Sequence, residues 1–156
     1  MTETPIRHAT PADVEILAAN NCAMALETEG KALDGPTVLR GVAALLADPA
    51  KGFYLLAERA GAAVGQLMVT TEWSDWRNGT FWWIQSVYVA PDARRTGVYR
   101  ALYERLLAMA REDGRVCGLR LYVDRSNARA QATYRALGMD RAHYELYEVD
   151  FVFGSP

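Results

Sequence analysis

Val87-Tyr88-Val89-Ala90-Pro91-Asp92-Ala93-Arg94-Arg95-Thr96-Gly97-Val98-Tyr99-Arg100-Ala101-Leu102 is the stretch on which the reading of this chain turns. The run leading into it, Phe81 to Val89, is apolar on both faces, the pattern of a central strand. After Pro91 the apolar period changes from two to 3.6, and Val98, Leu102, Leu106 and Met109 share one face of a helix that ends near Gly114. The join is therefore a strand that runs into a helix start. Such a start exposes unpaired backbone N–H groups at the positive end of the macrodipole, where a phosphate sits well. Gly97 lets the backbone approach a ligand closely, and Arg94, Arg95 and Arg100 add charge-assisted donors. The functional reading is a diphosphate cradle; the plain one is a strand-to-helix turn with solvated arginines.

Outward from this join the chain alternates helical and strand-like segments. Ile6 to His8 reads as a short strand. Thr10 has the character of a helix N-cap with Pro11 and Asp13 behind it, and the helix runs through Ile16 and Leu17 towards Leu26. Gly30 to Pro36 interrupts it. Val38, Val42, Leu45 and Leu46 mark a second helix that Asp48-Pro49 stops. Phe53–Ala57 and Ala63–Val69 flank Ala60-Gly61 as a hairpin. Downstream, Leu119, Leu121 and Val123 alternate as a strand, a helix runs from about Asn127 to Leu137 with Gly138 as its cap, and Arg141 to Phe153 reads as one or two strands. These readings predict a single α+β domain over 1–156 with a mostly antiparallel sheet.

The chain has 156 residues, 51% of them hydrophobic, which is enough for one packed core. A net charge of -2 gives no overall electrostatic reason to expect a nucleic acid partner. An RNA-binding reading needs stacking aromatics beside Arg94 and Arg95, and only Tyr99 stands there. Cys22 and Cys117 with His8 and His143 fit no metal-ligand spacing, so no metal is expected. No signal peptide and no apolar run of membrane-spanning length are read, so the expectation is a cytoplasmic protein without a membrane partner.

The quoted stretch resembles the acetyl-CoA motif of the GNAT superfamily of N-acetyltransferases. Arg94 and Gly97 match its Gln/Arg and first Gly, whereas Tyr99 stands where the family has a small residue. Leu121 to Met139 is similar to the family's second cofactor segment through Asn127, Arg129, Ala130, Tyr134, Leu137 and Gly138. The resemblance implies a GNAT-type acyl-CoA N-acyltransferase fold: a twisted mixed sheet, flanked by about four helices, whose two central strands splay apart. It implies acetyl-CoA as co-substrate. The pantetheine arm would pair with Val87, Tyr88 and Val89, and the pyrophosphate would lie on Arg94, Arg95, Thr96, Gly97, Val98, Tyr99 and Arg100. Asn127 would lie along the pantetheine, and Arg129 would reach the adenosine 3′-phosphate. Tyr134 would protonate the departing thiolate, although as a residue read alone it is a core tyrosine at helical spacing. A homodimer is in keeping with relatives.

Direct transfer also needs a neutral amine and a polarised carbonyl. A backbone N–H near Val87 or Tyr88 is expected to polarise it. Gln85 aligns with a position where many relatives carry a Glu base, and an amide cannot accept a proton usefully. The acceptor region carries Glu27 and Glu29 at the end of the first helix, with Glu72, Trp73 and Asp75 ahead of the central strand. Carboxylates beside indoles suit a small cationic or amino-acid-like primary amine, while Arg77 suits an acceptor carboxylate, and a solvated surface accounts for the same residues. A CoA-binding sensor or partner module with little turnover is the alternative function.

Overall fold

The computed structural model describes residues 3–154. Up to Tyr122 the chain forms one compact unit, and from Val123 onward a second, smaller one. The first unit is a five-stranded sheet in the order β1 (Ile6–His8), β2 (Phe53–Arg59), β3 (Ala62–Ser74), β4 (Gly79–Val89) and β5 (Val116–Arg120). Neighbours pair antiparallel except β4 and β5, which are parallel. Helices α1 (Val14–Glu29), α2 (Gly35–Ala47) and α3 (Val98–Glu112) complete it. A mixed, mostly antiparallel sheet is what the sequence predicts. No helix among the described residues is long and apolar enough to cross a membrane.

Local chemistry sets the helix starts. Thr10 and Asp13 form a capping box around the Pro11–Asp13 turn that leads into α1. Asp34 accepts from the Thr37 amide at 3.0 Å and caps α2. Because strand side chains alternate, Tyr54 and Leu56 of β2 meet Leu17, Val42 and Leu45 of α1 and α2 on one face of the sheet. Val98, Leu102 and Leu106 of α3 are fully or almost fully buried, and α3 packs on β2, β3 and β5. Its start sits directly on Gly65 of β3, where an added Cβ would come within 2.5 Å of Val98 Cγ1. The absence of a side chain at Gly65 thus sets how closely the start of α3 approaches the sheet.

Two expected strands differ. The strand read at Leu119, Leu121 and Val123 is displaced, because parallel pairing with β4 runs from Thr80↔Val116 to Trp83↔Arg120 and stops. Leu121 and Val123 alternate correctly but join no ladder. The tail from Arg141 to Phe153 likewise holds no regular strand. Alternation shows which residues would share a face; a strand also needs a partner for its backbone groups. The second unit contains α4 (Ala128–Ala136), with Gly138 at φ 88 and the Met139 amide returning to the Tyr134 carbonyl at 3.0 Å.

Arg7 ties β1 to this frame by ion pairs of 2.8 Å to both Asp13 and Glu58. Its guanidinium holds the Asp13 carboxyl down at about 2, below the ordinary 3.8. A depressed carboxylate contributes stability that is present above its unfolded value and lost as pH falls through its folded value. Stability should therefore drop between about pH 4 and pH 2, and D13N should remove about 1 kcal/mol at neutral pH. Urea unfolding of both chains across that range is the check. Equal stability of the two at pH 7 would contradict it.

Candidate active site

The centre of the site is a slip in the sheet. Pairing of β3 with β4 runs regularly from Ser74↔Gly79 to Met68↔Gln85 and resumes at Gln66↔Tyr88, so Ser86 and Val87 stand opposite Leu67 alone. Ser86 takes φ 48, left-handed for a non-glycine residue. A bulge of this kind bends and twists its strand. Consistent with that, the ladder to β5 covers only Thr80 to Trp83 of β4. From Ile84 to Val89, the β5-facing edge of β4 carries backbone groups that join no ladder among the described residues.

A buried polar network holds the slip. Gln66 is fully buried between apolar neighbours. Its Nε2 donates to Asn21 Oδ1 at 2.8 Å and to the Ser86 carbonyl at 3.4 Å, and its Oε1 accepts from Asn20 Nδ2 at 2.9 Å. Asn21 Nδ2 donates in turn to the Tyr54 hydroxyl at 3.0 Å. Both hydrogens and the oxygen of one amide are thus used to join α1, β3 and the bulge.

The loop after β4 carries two more left-handed residues, Arg95 at φ 63 and Gly97 at φ 84. The first helical bond of α3 is that of the Ala101 amide to the Gly97 carbonyl, at 3.0 Å, so the amides of Gly97 and Val98 precede the ladder. Such a turn gathers N–H groups into an anion-binding concavity. An added Cβ at Gly97 would meet nothing within 4 Å, so that face of the loop is open. Arg59, at the end of β2, braces the loop from behind. Its two terminal nitrogens donate to Thr96 Oγ1 at 2.6 Å and to the Thr96 carbonyl at 3.0 Å.

Beside the bulge lies a cleft of about 500 Å³ lined by Met24, Glu27, Thr28, Val87, Tyr88, Val89 and Arg94. Arg94 spans it. Nη2 pairs with Glu27 Oε2 at 2.6 Å, Nε donates to the Val89 carbonyl at 2.9 Å, and the guanidinium lies 5.6 Å from the centre of the Tyr88 ring. The Tyr88 hydroxyl donates to Glu27 Oε1 at 3.3 Å. Desolvation, and then the charge of Glu27, push that phenol up.

The cleft therefore brings together Val87, Tyr88, Val89 and Arg94, expected to hold a cofactor, and Glu27, expected to face an acceptor. Thr96, Gly97 and Val98 form the adjoining loop. Arg95 is exposed on that loop, and Arg100 leans on Glu104 at 3.5 Å. Tyr99 packs along α3 against Tyr103, with ring centres 6.4 Å apart. Gln85 lies just before the bulge, its Nε2 donating to Thr70 Oγ1 at 2.5 Å. Glu29 is exposed at the end of α1 and does not line the cleft. Glu72, Trp73 and Asp75 lie far from it. Trp73 pairs with Thr80, seven positions before Val87, which is about 20 Å along a strand. Glu72 is engaged by Arg120 at 2.6 Å.

In the second unit Asn127 caps α4, accepting from the Ala130 amide at 3.1 Å, and Arg129, two residues on, is exposed. Burial pushes the Tyr134 phenol up, so it keeps its proton at neutral pH. Sequence reasoning missed Arg59 and the group Asn20, Asn21 and Gln66. Gln66 carried a visible signal, a lone amide inside the apolar run Val64 to Val69. No cluster of three or more His, Cys, Asp or Glu among the described residues is arranged to hold a metal.

The family model for the acetyltransferase (GNAT) family matches residues 22–139. A possible acetyltransferase from Clostridium difficile 630 is 42% identical, with a TM-score of 0.90 over 97% of this chain and 99% of that one. A predicted acetyltransferase from Clostridium acetobutylicum, solved with acetyl-CoA, shares the fold at 18% identity and a TM-score of 0.76, covering 96% and 97% of the two chains. A ribosomal-protein-alanine N-acetyltransferase from Brucella melitensis shares it at 20% identity and a TM-score of 0.77, covering 96% and 99%. No curated protein matches the sequence significantly.

If the amide network holds the bulge, Gln66→Leu should cost about 1–3 kcal/mol, because it leaves the buried Asn21 and the half-buried Asn20 without their partner. Gln66→Glu retains a similar shape and an acceptor for Asn20 but loses the donor to Asn21 and Ser86. Denaturant midpoints should therefore fall for both variants; an unchanged midpoint for the leucine variant would show that the network carries no load.

Proposed function

The chain belongs to the GNAT family of acetyltransferases, and from that premise we propose that it moves the acetyl group of acetyl-CoA onto a primary amine of a small cationic or amino-acid-like acceptor. The observation that carries this reading is the adjacency of the open Arg95–Val98 loop and the bulged, half-paired segment Val87–Val89 of β4. Loop amides and helix dipole suit a diphosphate, and the unpaired strand edge suits the amide-bearing pantetheine arm. Arg95 and Arg100 add positive charge, while Arg94 is held by Glu27 and the Val89 carbonyl. Asn127 and Arg129 complete the cofactor set in this proposal.

In the reaction the amine lone pair attacks the thioester carbonyl carbon. The backbone N–H of Val87 or Tyr88 at the bulge donates to the oxygen as it gains negative charge. As the C–S bond breaks, Tyr134 gives its proton to the thiolate, the raised phenol being in the right state to do so, and the proton that the acylated nitrogen sheds through water restores the phenol. Gln85 is an amide tied to Thr70 and takes no proton. The acceptor amine therefore sheds its proton to water before attack. Glu27, with the Tyr88 ring beside it, is the acceptor carboxylate of the cleft. The same proposal has one acetyltransferase domain over 1–156, working in the cytoplasm as a homodimer, with Cys22 and Cys117 as free thiols.

An acetylation assay over a panel of amines, with mass detection of product, tests the proposal. A product 42 mass units heavier, about the mass of an added acetyl group less one hydrogen, is expected with at least one small cationic amine. Tight acetyl-CoA binding with no turnover across the panel would favour the sensor reading, which Gln85 motivates.

Two variants probe the assignments. Gly97→Glu should abolish acetyl-CoA binding measured by calorimetry, because a carboxylate would crowd and repel the diphosphate; unchanged affinity would remove the loop from the site. Tyr134→Phe should lower kcat by about 100-fold or more with little change in acetyl-CoA affinity. Normal turnover would remove Tyr134 as the acid.

A further inference from the structure

The ring of Phe81 lies across β5 because its ladder partner there, Gly118, has no side chain; an added Cβ would come within 2.7 Å of Phe81 Cε1. Arg120 covers one face of the ring, its Cζ 3.6 Å from the centroid. At that distance the guanidinium lies flat on the ring, since an N–H pointing into the face would hold the carbon farther away. A stacked guanidinium keeps its N–H groups in its own plane, directed sideways. Glu72 Oε1 accepts from one of them, on Nη1, at 2.6 Å. The Arg120 side chain is 30% exposed, and its other donors meet no acceptor among the described residues. A second guanidinium, that of Arg77, lies 4.9 Å from the same centroid, with one hydrogen bond from Nη1 to Ser74 Oγ at 3.3 Å. Asp75 uses Oδ1 on the Trp76 amide and is in no ion pair among the described residues. Two cations thus share one ring and one paired carboxylate. Forked planar donors in that state suit a further carboxylate.

Strand pairing puts these arginines and the cleft on one face of the sheet. Glu72 pairs with Phe81, Thr70 with Trp83, and Met68 with both Tyr54 and Gln85, the face on which α1 and α2 pack. α3, which sits on Gly65, covers the other face. Between the cleft and the arginines lie Gln85 and then Trp83, whose indole meets the Tyr122 ring at 6.0 Å. An amide followed by aromatic faces suits an extended, hydrogen-bonding chain. Phe81 stands six positions before Val87, roughly 17–20 Å along the strand once the bulge is allowed for. A fully extended peptide of about five residues has that length.

We propose that Arg77 and Arg120 bind the carboxylate of an elongated acceptor whose amine reaches the bulge, and that this acceptor is the amino end of a peptide with a carboxylate about five residues on. The proposal rests on the amine-acetylation reading and narrows its acceptor. Glu27 stands at the ammonium end, the arginines stand at the anionic end, and the register of β4 sets the distance between them.

Calorimetric titration of the full chain with pentaglycine and with its C-terminal amide, at saturating CoA, is the test. The acid should bind about 10-fold or more tightly than the amide, the effect of charge-assisted hydrogen bonds to one carboxylate. Glycine against glycinamide should show no such preference, because neither spans the interval. Arg120→Met keeps a long side chain on Phe81 and should abolish the preference by weakening the acid alone. Arg77→Met, at the exposed hairpin tip, should reduce it about two- to fivefold, and it decides if the Arg120 variant fails to fold. Arginines that only brace the hairpin would lower the thermal midpoint when replaced and leave the acid-to-amide ratio intact, which would overturn the proposal. So would equal binding of acid and amide, no binding of either, or a preference already present with glycine. Because binding is read without turnover, the failures separate. Lost preference with acetylated product overturns this subsite alone. Intact preference with no acetylated product overturns the underlying amine-acetylation reading, leaving Arg77 and Arg120 as a peptide-carboxylate site.

Discussion

A left-handed serine in the middle of a strand is the constraint from which the site follows. At Ser86 the register of β4 against β3 slips, and no ladder joins the strand to β5 beyond Trp83. Backbone groups that an ordinary sheet would consume are left outside any ladder among the described residues. The conformation costs about 1–2 kcal/mol at a residue with a Cβ. The Gln66 amide offsets part of this by holding the Ser86 carbonyl from beneath, while Asn20 and Asn21 saturate the rest of that amide. A buried polar group is expensive unless fully partnered. This one is fully partnered.

The second support is steric. With no side chain at Gly65, Val98 packs onto β3 and the start of α3 is fixed against the sheet. Arg59 clamps Thr96 from the other side. The loop that presents its amides is therefore held at both ends, and its open face lies at Gly97. Arg94 connects this loop to α1 through its ion pair with Glu27 across the cleft.

Much of the fold was legible in the sequence. Change of period at Pro91, the N-cap character of Thr10 and the stop at Asp48-Pro49 place α3, α1 and α2 because helix signals are local. The strands of the hairpins were legible for the same reason. The tail was not, since residues 144–153 alternate like a strand but join no ladder among the described residues. The candidate site was half legible. Arg94 to Val98 announced itself by composition, and Glu27 by charge. Glu72, Trp73 and Asp75 had suitable chemistry, but distance along the β3–β4 hairpin separates them from the cleft, and no property of a residue type encodes that. Gln66 and Arg59 act through contacts 45 and 37 positions away in sequence, with Asn21 and Thr96. Gln66 showed only as a lone amide in an apolar run, and the assembled sheet supplies the partners of both.

The central claim is that the bulged edge of β4 and the start of α3 together hold an acyl-CoA. Titration of isotope-labelled protein with CoA, followed through backbone amide resonances, tests it most directly. The account predicts that the largest shifts fall on Val87–Val89 and Arg95–Val98, while the hairpin tip Ser74–Gly79 stays still. Saturating CoA that leaves those two segments unmoved, or moves the tip instead, would contradict it.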